Sequence, residues 1–226
     1  MKNYNFNQWC KTAWLKFSLM ITGCMLVLML INWNTWSTPL KCIAVVAALI
    51  PVHATEEWIF PGGFAFQYNL FLNKSEYPAC YPMNRASDMV TVLGTTIMYA
   101  IITIYFAITG KSVPGGILLG ATCFSALEVS VHTFFGIKAY FTFKDRGKTT
   151  IYGTGSMTAY TGFLVLGIIM IRQMIAIGLS GKVILFCILV LGITSILVFV
   201  PEIKFKDTNS PYAYSSSGYY ERFLNK

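Results

Sequence analysis

Residues 39–60 read PLKCIAVVAALIPVHATEEWIF. From Cys42 to Val52 the run carries no charge and hardly a polar atom. As an α-helix at ~1.5 Å per residue the stretch is ~33 Å long, about the thickness of a bilayer's hydrocarbon core. A helix apolar on every face belongs either in the middle of a large protein or in lipid. The rest of the chain decides between them. Of 226 residues, 55% are hydrophobic and only 12% are charged, where soluble domains carry about 25% charged residues. Too little charge remains to coat a water-facing surface. That excludes a soluble globular domain, a disordered chain and a coiled coil, and it leaves a protein solvated by lipid.

Working outward, six apolar segments can be marked, at 13–33, 39–60, 85–109, 114–137, 155–178 and 182–200. Each is near or above the ~20 residues that a span requires. Pro39 and Pro114 stand where helices begin, a position that suits a residue without an N–H. Gly110, Gly181 and Pro201 punctuate the connections. The tryptophans (Trp9, Trp14, Trp33, Trp36 and Trp58) sit at segment ends, as interfacial aromatics do. No small-residue cleavage site follows the first segment, so it reads as a retained span, not a signal peptide. The expected fold is an all-α, polytopic bundle of about six transmembrane helices. It forms one domain over residues 1–200, followed by a polar, mobile cytoplasmic tail at 201–226.

The net charge of +8 is explained by topology. With the N-terminus in the cytoplasm, thirteen of the seventeen Lys and Arg fall on the cytoplasmic side, from Lys2 and Lys11 through Arg85 and Lys148 to Lys226. Lys41, Lys111, Arg172 and Lys182 fall opposite. Positive loops stay inside, so both termini are placed in the cytoplasm, and a bacterial inner membrane is the expected setting. No nucleic-acid motif accompanies the charge, and no nucleic acid is expected as a partner. Lys138, Lys144, Arg146 and Lys148 form a basic loop at the membrane edge, with anionic lipid as an alternative contact. Arg85 and Asp88, three residues apart, are expected to pair at the surface, or Arg85 to meet an anionic head group. The six cysteines form no C-x-x-C pair and lie mostly in apolar runs, which argues against disulfides and zinc–cysteine sites.

Ionisable groups at membrane depth cost at least ~2.5–3.5 kcal/mol each and mark function by default. The chain has nine acidic residues and two histidines. Both histidines lie in apolar helices with carboxylates at helical spacing: His53-Ala54-Thr55-Glu56-Glu57 and Glu128-Val129-Ser130-Val131-His132. Residues three or four apart share a face. Counted from Pro39, Glu56 lies ~25 Å along its helix; from Pro114, Glu128 and His132 lie ~21 and ~27 Å along theirs. Under the charge-based topology the two clusters share one level, toward the cytoplasmic face. Two imidazoles and two or three carboxylates suit a divalent metal such as Zn, Fe or Mn, whose charge would also offset the carboxylates. The plainer reading is a pair of intrahelical ion pairs that fix helix packing. After Glu57, Pro61-Gly62-Gly63-Phe64 breaks the helix; the stretch to Pro82 either roofs the site or merely connects. Tyr152-Gly153-Thr154-Gly155-Ser156 reads as a closely packed helix start, without the Lys-Ser/Thr of a phosphate loop.

His53-x-x-Glu56-Glu57 followed by Pro61-Gly62-Gly63-Phe64 resembles the HXXEE-motif family of small integral membrane proteins, whose function is uncharacterised. In that family a later helix carries N-x-x-x-H and is followed by Y-x-P-G-x-x-T. The chain is similar there, with Glu128-Val129-Ser130-Val131-His132 and then Tyr152-Gly153-Thr154-Gly155-Ser156-Met157-Thr158. Glu128 occupies the Asn place and Thr154 the Pro place. The resemblance spans roughly residues 39–180. It implies His53, Glu56, Glu57 and His132 as the core set, and supplies no substrate.

Three functions follow from the residues. The first is a membrane-embedded enzyme whose metal is held by His53, Glu57, His132 and Glu128. Glu56 acts there as general base for a water, in hydrolysis of a lipid or lipid-linked substrate near the cytoplasmic leaflet; iron would turn the same ligands toward oxidation. The second is metal-free acid–base chemistry, an isomerase or cyclase of an isoprenoid-type substrate. The third is a non-enzymatic proton or ion pathway, or a structural role. Membrane lipid is the expected surrounding partner in all three.

Overall fold

The computed structural model describes residues 6–224, apart from the side chain of Thr12. Lys2 and Lys226, counted above as cytoplasmic, lie outside the described residues. The chain folds into six long helices, with no strand among the described residues: α1 (Trp14–Ile31), α2 (Thr38–Trp58), α3 (Arg85–Thr109), α4 (Gly115–Phe143), α5 (Ser156–Ile177) and α6 (Gly181–Phe205). All six are long and apolar enough to cross a membrane. The protein is a polytopic all-helical bundle.

Local sequence sets the helix boundaries. The Ser37 side chain caps α2 by accepting from Leu40 N at 3.4 Å, with Pro39 in the first turn. Asn84 and Ser87 form a reciprocal capping box at the start of α3. Gly110 closes α3 in the left-handed conformation. Two boundaries differ from the sequence reading. Helix α4 continues to Phe143, and α6 runs through Pro201 to Phe205. A proline inside a helix orphans the carbonyl four residues earlier. Here that carbonyl, Leu197 O, accepts from the Thr91 hydroxyl of α3 at 3.1 Å, so the helix has no need to stop.

Helix α2 is central. It packs on α1, α3, α5 and α4, while α6 closes the outer side against α3 and α4. Burial runs against hydropathy. The most apolar span, α6, is the least buried within the protein, while α2 is the most buried. That is how a bundle dissolved in lipid should arrange itself, because the helix carrying polar side chains must hide them. At Gly116 and Gly120 a Cβ would come within 2.3–2.7 Å of α6 side chains; small residues there let α4 and α6 approach closely. All six cysteines are free.

The segment after Glu57 roofs the bundle. Phe64–Gln67 is a short helix, continued as a wide turn over Tyr68–Leu72. The expected mobile tail is found packed: Tyr220 is fully buried, Phe223 nearly so. Their rings lie against Phe66, Phe71 and Phe143. Tyr219 N donates to Gly62 O at 3.0 Å. The approach is backbone to backbone, since a Cβ on Gly63 would fall 2.4 Å from Ser217 O and one on Gly218 2.3 Å from Gly62 C. Aromatic residues in a polar-looking segment are the physical reason: five Tyr or Phe between 212 and 223 carry enough apolar area to dock.

Candidate metal centre

His53 and Glu57 leave the last turns of α2 on one face, and Glu128 and His132 leave one face of α4. The two faces meet. His53 Nε2 and His132 Nε2 stand 3.0 Å apart with the rings nearly perpendicular. Glu57 Oε1 lies 3.3 Å from His53 Nε2 and 3.4 Å from His132 Nε2. Glu128 Oε2 lies 3.4 and 3.5 Å from the same two nitrogens. His53, Glu57 and His132 form a buried triad whose ligand atoms all lie within 4.8 Å of one another. Glu128 touches the histidine pair but is not part of that triad, and its side chain is 20% exposed.

The distances test whether a cation fits. Ligands at ~2.0–2.1 Å from a tetrahedral centre stand about 3.3–3.4 Å from one another. The triad's edges of 3.0, 3.3 and 3.4 Å match one face of such a centre. Two histidines and one carboxylate are a common donor set for catalytic zinc and for non-haem iron. The group can hold a metal ion.

Electrostatics point the same way. His53 Nδ1 lies 2.6 Å from Thr158 Oγ1. The Thr158 hydroxyl is also 2.6 Å from Glu56 Oε2, to which it donates. Its one proton is thereby committed, so the network assigns the proton at His53 to Nδ1. Nε2 then faces two carboxylate oxygens and the Nε2 of His132, a contact that a proton or a metal cation satisfies. A carboxylate–threonine–histidine chain of this kind fixes tautomer and ring orientation, as outer partners of metal-bound histidines do.

Glu56 thus has a different place from that expected of a general base. Oε1 accepts from Tyr152 OH at 2.8 Å and Met157 N at 3.0 Å; Oε2 accepts from Thr158 N at 2.8 Å and from the Thr158 hydroxyl. It caps the start of α5 from across the bundle, where a carboxylate answers both the free N–H groups and the positive end of the helix. Four donors thus occupy its two oxygens.

His132 is held by shape. A Cβ on Gly155 would fall 2.1 Å from His132 Cε1, and Gly155 has φ +86°, a conformation that glycine adopts freely. The imidazole packs against that turn. Its Nδ1 is buried with no hydrogen-bond partner among the described residues. Phe64 from the roof and Phe163 from α5 pack on the two imidazoles and keep bulk water away. The wide turn Ala159–Leu164 in α5 places Phe163; such turns recur at functional sites.

Thr158, Tyr152 and Gly155 were not singled out by the chemistry of the sequence, since nothing in their spacing says they face His53, Glu56 and His132. The signal that could have found them is the Y-x-x-G-x-x-T stretch, whose three fixed residues are these three. Two surface expectations are corrected. Arg85 and Asp88 form no ion pair among the described residues. Asp88 is buried, and its Oδ2 accepts from Trp58 Nε1 at 2.6 Å and Tyr214 OH at 2.8 Å. Arg85 donates to Tyr212 O, Pro211 O and Asn7 Oδ1. Lys148 is buried too, not a solvated loop charge. Its Nζ donates to Tyr152 O at 2.6 Å and Tyr219 OH at 3.0 Å, because the docked tail covers it.

A family model described as a protein of unknown function with HXXEE motif matches residues 44–171, more than half of the chain. No curated protein matches the chain, and no solved structure does.

Proposed function

The chain belongs to the HXXEE family of proteins of unknown function, and we propose from that premise and the geometry above that it is a metal-dependent enzyme of the membrane. It holds a divalent ion (Zn, Fe or Mn) and hydrolyses a lipid or lipid-linked substrate near the cytoplasmic leaflet. The observation that carries this reading is the convergence of His53 Nε2, His132 Nε2 and Glu57 Oε1 within 3.0–3.4 Å, inside a bundle of membrane-crossing helices. A bound divalent ion would supply Lewis acidity toward an ester or phosphoryl oxygen.

The chain's own residues supply the rest. Glu57 and the two histidines hold the ion. Thr158 and Glu56 are positioning residues that keep the lone pair of His53 Nε2 on the centre. Glu128 reaches both histidine nitrogens, stands outside the triad and is partly exposed; it takes the proton of an attacking water, the role first expected of Glu56, and returns it to the leaving oxygen. Phe64 and Phe163 exclude bulk water, which strengthens every charge interaction inside. Six spans and a buried centre at their polar end suit an amphiphile, which presents its head group there without leaving the bilayer.

The test is conversion of lipid. Purified protein in liposomes of total membrane lipid is incubated with added metal, and the lipids are profiled by mass spectrometry. A new hydrolysis product that requires metal and is lost with Glu57→Gln and with Glu128→Gln supports the proposal. A product formed equally by chelated protein would assign the site to acid–base chemistry without metal.

A further inference from the structure

Where α2 ends, one residue beyond Glu57, a cavity of about 720 Å³ opens between the roof, the start of α3 and the docked tail. Lys11, Trp58, Pro61, Arg85, Tyr214 and Ser216 line it, and no carboxylate does. Its size lies within the ~300–1,000 Å³ typical of small-ligand sites. The two cations are unneutralised. Arg85 commits Nε and Nη2 to Tyr212 O, Pro211 O and Asn7 Oδ1, and Nη1 has no partner among the described residues. Lys11 Nζ has none there either, and its side chain is exposed.

The acids nearby do not answer this charge. Asp88 lies behind the wall, with the Trp58 indole and the Tyr214 phenol on its Oδ2. Glu221 takes the Ser216 hydroxyl at 2.6 Å. What remains is a concave surface lined by an ammonium, a partly committed guanidinium and two serines together with the apolar Trp58, Ile59 and Pro61. A guanidinium held at three of its donors is preorganised, and the two N–H groups left on Nη1 can donate to phosphoryl oxygens. The apolar wall suits the first carbons of an acyl or isoprenoid chain.

We infer that this groove binds the phosphoryl head group of an amphiphile, with Arg85 Nη1 and Lys11 Nζ as its donors. The groove then names the substrate class for the neighbouring centre: a lipid phosphate whose chain runs down α2 toward Glu57. Only the word substrate rests on the proposed function; binding in the groove stands or falls separately.

Full-length protein in an uncharged detergent is titrated by thermophoresis with short-chain phosphatidic acid, with the diacylglycerol of the same chains, and with inorganic phosphate. Saturable binding of the phosphatidic acid is expected, with no binding of the diacylglycerol over the same range. Lys11→Gln, on an exposed side chain that holds nothing in the fold, should weaken it about tenfold through loss of one charge-assisted contact. Binding should persist after chelation, which separates the groove from the metal centre. Inorganic phosphate that binds as tightly as the lipid would support the anion site and assign free phosphate as its ligand. Equal binding of diacylglycerol, or no effect of either Lys11→Gln or Lys11→Glu, would overturn the inference.

Discussion

Replacing Thr158 with valine removes one oxygen and keeps the side chain's shape. That oxygen accepts from His53 Nδ1 at 2.6 Å and donates to Glu56 Oε2 at 2.6 Å. The start of α5 keeps its cap, because Met157 N and Thr158 N still donate to Glu56. What changes is the histidine. Its ring loses the one partner that fixes Nδ1–H, and Nε2 is no longer held as a lone pair on the centre. Losing such an outer partner costs about 10- to 100-fold in metal affinity, or ~1.4–2.8 kcal/mol. The buried Nδ1–H left without an acceptor costs about 1–3 kcal/mol of stability as well. The assay is competition for zinc against a chromophoric chelator, in detergent, with helix content followed by circular dichroism. Thr158→Ser restores the hydroxyl and should restore most of the affinity. A folded Thr158→Val protein that binds zinc as tightly as the parent would refute the claim that the Glu56–Thr158–His53 chain positions the site.

Gly155→Ala should abolish metal binding while leaving the helices intact, since its methyl would stand 2.1 Å from His132 Cε1 at a backbone angle that disfavours a side chain; helical circular dichroism with lost zinc binding is the pattern to look for. The docked tail should respond to alkaline pH. Burial holds the Lys148 ammonium below its usual range. Burial alone would raise the Tyr219 phenol, but its contacts with Lys148 and Arg222 outweigh that and lower it. Both groups therefore shed protons in the folded chain before they would in the unfolded one. Between the folded values and the ordinary ~10–10.4, the unfolded chain holds more protons, so stability rises with pH; it is fully present above that range and lost as pH falls through the folded values. Melting temperature should climb as pH rises toward about 10, and Lys148→Met should flatten most of that climb.

The spans were legible because membrane depth imposes a length and a composition on every helix that crosses it. The polar stripes were legible for the same reason: His53, Glu57, Glu128 and His132 interrupt apolar helices, and counting rises along α2 and α4 put them at one level. That count says nothing about which way two faces turn, and only the packed helices show them meeting. The role of Glu56 was not legible. In sequence it is a carboxylate beside a carboxylate; its donors come from residues 152–158, about a hundred positions later, and a hydrogen bond between distant segments leaves no periodicity. Arg85 and Asp88 read as an i,i+3 pair because helix spacing was the only geometry available, and the tail residues that bind each of them lie 126 or 127 positions downstream. The tail itself was misjudged because serine and asparagine set its average polarity, whereas its docking depends on where Tyr214, Tyr220 and Phe223 point. Pro201 read as a stop because the threonine on α3 that satisfies Leu197 O cannot be seen from α6.

Metal content tests most directly for a cation held between the two helices. Protein purified without chelator should carry about one zinc, iron or manganese per chain by mass spectrometry of the elements, the number that a single triad accommodates, and His53→Ala and His132→Ala should each lose it while remaining folded. Metal below about a tenth of an equivalent after reconstitution with each ion, with the two variants indistinguishable from the parent, would contradict it; a site with the expected affinity fills nearly completely.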